Sequence, residues 1–289
     1  MMPSFRALLL LALCTGIAGC GTPPRPVNVR EFPLTGEILS IKPDKSEVRI
    51  THDDVKGFME AMTMWFPIKD PRVLNGLSPG DLVKATLVVT DEESYLSTIQ
   101  RTGTRPPDQR TPAPPPPEEG LRTGALVPGI TLTDESGQAL SLSAYRGTFT
   151  VLTFIYTRCP LPDYCPRMNA HFGAIQRAVK AQPALGRHVR LLSISFDPDY
   201  DTPARLKAKA REAGADPAVW HFATGPRERV DAFGATFGLS VLREGPKGQD
   251  ITHNLRTALI DRDGKLVKTY NGNDWSPDQV VGDLQALVK

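Results

Sequence analysis

The chain has 289 residues, long enough for two domains, and its 40% apolar and 23% charged content is that of ordinary globular protein. Its 34 basic residues against 32 acidic ones leave a net charge of +2, with no basic cluster along the chain. That balance gives no electrostatic case for nucleic acid or for an acidic substrate.

The chain opens with the pattern of an export signal. Residues 1–6 are short and positive, residues 7–13 form an apolar run too short for a stable span, and Ile17-Ala18-Gly19-Cys20 follows. The tetrapeptide resembles a bacterial lipobox, in which small residues precede a cysteine that is lipidated; an ordinary signal with a chance cysteine is the other reading. The expectation is a signal over residues 1–20, lipid on Cys20, and a protein tethered to a membrane in the cell envelope, facing the oxidising periplasm. Of four cysteines, Cys14 then leaves with the signal and Cys20 carries lipid, so only Cys159 and Cys165 remain.

Residues 21–34 read as a polar, proline-bearing spacer. Alternating segments at 36–41, 47–51, 66–68, 81–89 and 95–99 have the period of half-buried strands, and five of them without a helical period predict a small β-barrel over residues 35–101. Within it stand His52 and three methionines in six residues, Met59, Met62 and Met64. In a strand Met62 and Met64 point the same way, with polar Thr63 between them, and Trp65 faces away from Met64. Thioether and imidazole donors suit Cu(I), while core-filling methionine with a surface histidine is the plainer alternative. The segment resembles the CusF-like periplasmic copper-binding domains, and the resemblance implies that His52, Met62 and Met64 bind Cu(I). Where that family places a tryptophan that caps the metal, this chain has Met59, which is either a fourth ligand or the mark of a site without an aromatic cap.

Residues 102–120 are proline-rich and predict a polyproline II linker with a reach of at most about 60 Å. From residue 121 to 289, strand and helix signals alternate, which predicts a mixed α/β sheet with helices on both faces. The apolar run 151–156 reads as its central strand, followed by Cys159 and Cys165 with five residues between them, then a helix to Lys180. A helix N-terminus favours thiolate. Such a thiolate can attack a disulfide, close one with its neighbour, or bind a soft metal ion.

Three motifs narrow the choice: Thr157-Arg158-Cys159-Pro160 with Cys165-Pro166; Ser193-Ile194-Ser195-Phe196-Asp197-Pro198 followed by Asp201-Thr202-Pro203; and His253-Asn254-Leu255-Arg256-Thr257. Together, in this order, they resemble the thioredoxin fold and more narrowly the SCO/SenC family of copper chaperones. The resemblance implies that Cys159, Cys165 and His253 bind copper, and that the client is cytochrome c oxidase, whose binuclear copper site needs metal and reduced cysteines. The family usually separates its cysteines by three residues rather than five. The alternative function is a thiol–disulfide oxidoreductase, with Cys159 attacking and Cys165 resolving. Ile251-Thr252-His253-Asn254 lacks the proline that thioredoxin-like reductases carry there, which favours metal.

Overall fold

The computed structural model describes residues 28–59, 61–109, 120–244 and 250–288. The expected export signal, Cys20 and most of the expected linker lie outside the described residues. Among the described residues no helix is long and apolar enough to cross a membrane.

The N-terminal unit is all β. Strands β1 (Arg30–Ile41), β2 (Glu47–His52), β3 (Met62–Pro67), β4 (Asp81–Val89) and β5 (Ser94–Thr104) form an antiparallel sheet in the order β3-β2-β1-β4-β5. Leu34, Ile38, Val48, Ile50, Phe66 and Leu87 alternate onto one side and make its core. Gly36 is required where β1 crosses β2, because a Cβ there would lie 2.4 Å from the Thr51 carbonyl oxygen. The sheet curls, but the expected closed barrel is not formed: among the described residues its two ends meet only at the single bridge between Ile68 and Leu96. Two features explain the gap. Pro67 ends β3 without an N–H for a further ladder, and the outer edge of β3 is occupied by the C-terminal unit.

The second unit follows the expected α/β plan. In chain order it comprises β6 (Thr131–Asp134), β7 (Ala139–Ser141), β8 (Phe149–Ile155), α1 (Cys165–Lys180), α2 (Pro183–Gly186), β9 (Val189–Ser195), α3 (Pro203–Glu212) and β10 (Trp220–Thr224). There follow α4 (Arg227–Ala235), β11 (Val241–Glu244), β12 (Asp250–His253), β13 (Arg256–Ile260), β14 (Leu266–Asn271) and α5 (Pro277–Val288). The main sheet runs β14-β13-β8-β9-β10-β6-β7, parallel through β8, β9 and β10. All residues of β8 are buried, as a strand covered on both faces must be. Phe154 packs on Phe233 and Phe237 beside α4. Its neighbour Thr153 points the other way, toward Thr257, which in turn touches Met168 of α1. Helices therefore cover both faces. Met168, Phe172, Ile175 and Val179 form the buried stripe of α1 at helical spacing.

The hairpin β11–β12 has no counterpart in the sequence reading, since its two four-residue strands are too short to show an alternation. It nevertheless carries Thr252 and His253.

Glu135 ties the turn after β6 to β10: one carboxylate oxygen accepts from His221 Nδ1 at 3.0 Å and the other from the Phe222 amide at 3.0 Å. The hydrogen bond from Glu135 raises the His221 pKa, although burial opposes it. A raised histidine pKa stabilises the fold fully below the unfolded value, and that stabilisation is lost as pH rises through the folded one. Glu135→Gln is therefore expected to cost about 1–2 kcal/mol at pH 6 and distinctly less at pH 8.5, measured by denaturant unfolding at both pH values.

Candidate metal centres

The first centre grows from the end of β8. Asp201 is fully buried and accepts three hydrogen bonds: from the Thr157 amide at 2.9 Å, from the Thr157 hydroxyl, and from Ser195 Oγ at 2.5 Å. Asp197 takes Arg158 Nε at 2.8 Å, and its own amide donates to Ser195 Oγ at 3.1 Å. The two aspartates thus hold both residues that precede Cys159. Sequence reasoning saw Asp197 and Asp201 only as part of a motif. The structure makes both of them braces of the cysteine loop.

Cys159 is half-buried, whereas Cys165 is 1% exposed and opens α1, with Pro166 just inside the helix start. Both are free thiols. His253 ends β12, and its Nε2 lies 3.9 Å from Cys165 Sγ. Its Nδ1 is 2.9 Å from the Asn254 carbonyl oxygen. A carbonyl only accepts, so Nδ1 carries a proton, which leaves Nε2 to face the sulfurs, as an N–H toward a thiolate or as a lone pair toward a metal ion. Phe196 and Tyr156 fix the ring, with centroids 4.7 and 5.5 Å away. Donors to one small transition ion stand roughly 3.5–4 Å apart, given bonds of about 2.0–2.3 Å, so the Cys165–His253 spacing suits a shared ion.

The thiols are electrostatically unequal. Burial alone would raise the Cys159 pKa, but hydrogen bonds from Cys165 and His253 and the adjacent imidazole outweigh it and hold that thiol well below its ordinary value. Burial and the Cys159 thiolate push Cys165 well above its own.

The second centre lies in the β unit. His52 faces Met62 directly across the β2–β3 ladder, and Met64 is two residues further along the same side, opposite Ile50. His52 is 2% exposed, and its Nδ1 sits 2.7 Å from the Asp53 carbonyl oxygen. Its Nε2 is buried with no hydrogen-bond partner. Burial lowers the His52 pKa and keeps the imidazole neutral. An orphaned neutral nitrogen on the strand side that also carries Met62 and Met64 fits a soft metal ion. Met59 is buried in the same apolar cluster as Met64. Trp65 turns to the other side, with Lys42 and Arg49 over its ring.

Among the described residues, no three His, Cys, Asp or Glu side chains stand together as a group that could hold a metal ion. Each centre is a set of soft donors on neighbouring segments rather than a finished shell.

The family model described as SCO1/SenC matches residues 121–289. The chain belongs to the SCO1/SenC family. A second model, described as copper binding periplasmic protein CusF, matches residues 31–101. The SCO1/SenC domain is similar to the SCO1 protein homolog of Bacillus subtilis (strain 168), 30% identical over 163 residues that span 55% of this chain and 81% of that protein. Similarity to the mitochondrial Protein SCO2 homolog of Homo sapiens is 28% over 218 residues, 74% of this chain and 73% of that one. Among solved structures it resembles a SCO1/SenC family lipoprotein from Bacillus anthracis str. Ames, with a TM-score of 0.52 and 27% identity, covering 57% of this chain and 96% of that chain.

The inequality of the SCO1/SenC-domain thiols has a direct readout. At pH 7 iodoacetamide is expected to modify Cys159 first, with Cys165 roughly tenfold or more slower; peptide mass spectrometry of the time course distinguishes them. Equal rates contradict the assigned polarity.

Proposed function

We propose that this protein is a copper chaperone with two sites in one chain, anchored to the membrane through lipid on Cys20. Copper is its cargo. In the SCO1/SenC domain the ligands are Cys159, Cys165 and His253, a set that suits Cu(I) and also accepts Cu(II). In the CusF-like domain they are His52, Met62 and Met64, with Met59 packed behind them. The observation that carries this reading is a shared device: each histidine gives its Nδ1 proton to the backbone carbonyl of the next residue and leaves Nε2 available, with His253 Nε2 facing Cys165 Sγ and His52 opposite Met62 on the β2–β3 ladder. The client proposed from the family relation is the binuclear copper site of cytochrome c oxidase. Cu(I) is proposed to move from the thioether site to the thiolate site within the chain, since thiolates hold it more tightly and Cys159 packs against the apolar clusters of both domains.

The thiol polarity also supports a second reading. A low-pKa Cys159 before a buried, high-pKa Cys165 is the arrangement of an attacking and a resolving thiol, so the alternative is a thiol–disulfide oxidoreductase acting on client cysteines.

Copper content after reconstitution with Cu(I) separates the two. The wild type is expected to hold two coppers, and Cys159→Ser and Met64→Leu one each. A wild type that holds a single copper, unchanged by Cys159→Ser, makes the pair a redox couple and removes the chaperone reading of that site.

A further inference from the structure

Three of the five residues between Cys159 and Cys165 reach the CusF-like domain. Leu161 is 3% exposed and buried in that domain's apolar cluster, together with Met59, Met64, Phe66 and Leu96. Asp163 accepts a hydrogen bond at 2.8 Å from the Ser94 hydroxyl, at the start of β5. The Tyr164 hydroxyl donates to the Trp65 carbonyl at 2.8 Å. From β12, the Thr252 hydroxyl donates to the Thr63 carbonyl, and Arg167 of α1 donates to the Glu92 carbonyl at 2.8 Å.

The strand they meet explains the pattern. Among the described residues β3 forms its ladder with β2, and its other side faces the SCO1/SenC domain. There the Thr63 and Trp65 carbonyls accept from hydroxyls of two separate segments of that domain. The cysteine loop is anchored equally on its own side: Asn273 Nδ2 donates to the Asp163 carbonyl at 2.7 Å, and the Met168 amide to the Tyr164 carbonyl at 3.0 Å. The loop is thus a bridge with both ends fixed, and Cys159 packs against the apolar clusters on either side of it.

We propose that the segment between the cysteines is an interaction surface whose occupant is this chain's own CusF-like domain, and that this docking is a latch that covers Cys159 and opens before a partner protein reaches the thiols. The covalent connection through residues 102–120 keeps the released domain near and the docking reversible. The same surface is then open to the client only when the CusF-like domain has left it.

The test uses the full chain, reduced and free of metal, so its outcome does not depend on the copper reading. Ser94→Asp sets a second carboxylate against Asp163 from the CusF-like side and leaves the cysteine loop unaltered. Leu161→Ala removes the apolar plug without adding charge. In both, iodoacetamide modification of Cys159 is expected to run about tenfold faster than in the wild type, with a larger radius of gyration by small-angle X-ray scattering. Folded variants that label at the wild-type rate overturn the latch. Faster labelling without expansion also overturns it, since the loop has then loosened without undocking. Should Ser94→Asp fail to fold, Leu161→Ala delivers the same two readings.

Discussion

Much of the architecture hangs on one buried carboxylate. Asp201 gathers the Thr157 amide, the Thr157 hydroxyl and the Ser195 hydroxyl where β8 and β9 end side by side. Burial raises its pKa against those hydrogen bonds, so the group is held at an electrostatic cost that only a full set of donors offsets. What the arrangement fixes is the direction in which the chain leaves the central strand. That direction places Cys159 near His253, sends the next residues out to the neighbouring domain, and returns the chain at Cys165 as the first residue of α1.

The two proposed copper sites draw on similar side-chain chemistry in different folds. In each, a main-chain carbonyl selects the imidazole tautomer, so no extra side chain is needed to direct Nε2. They differ in how the sulfur donors are presented. Met62 and Met64 carry no charge at any pH and sit on a regular strand, where spacing of two places them on one side. The thiols sit at a loop and a helix start, where burial and mutual hydrogen bonding separate their proton affinities. A neutral thioether site suits holding Cu(I), and a thiolate site suits drawing it away.

Much of this was legible in the sequence because it rests on local signals. The buried run at β8 and the alternation of β4 each follow from nearest-neighbour preferences, and β4 has the expected bounds. The sulfur residues proposed as donors stand at short spacing in the sequence, whereas His253, 88 positions after Cys165, was singled out through the family resemblance alone. What escaped was non-local. The β11–β12 hairpin is built of two four-residue strands, too short to show an alternation, and forms against the edge of β3, far away in the chain. Asp201 was only a motif residue until Thr157, 44 positions earlier, was seen to lie against it. The closed barrel failed for a related reason, since a sheet whose edge is met by another domain has less need to close on itself.

The capped edge of β3 also bears on the order in which the protein matures. Thr63 and the hydroxyl that covers its carbonyl are 189 residues apart. The N-terminal domain is synthesised long before Thr252 exists, and through that interval β3, which itself carries Met62 and Met64, lacks the cover that the hairpin later supplies. Such an edge is a template for pairing with other chains. The last part of the chain therefore completes the first, and a nascent or truncated form without the hairpin carries the exposed edge that the finished protein conceals.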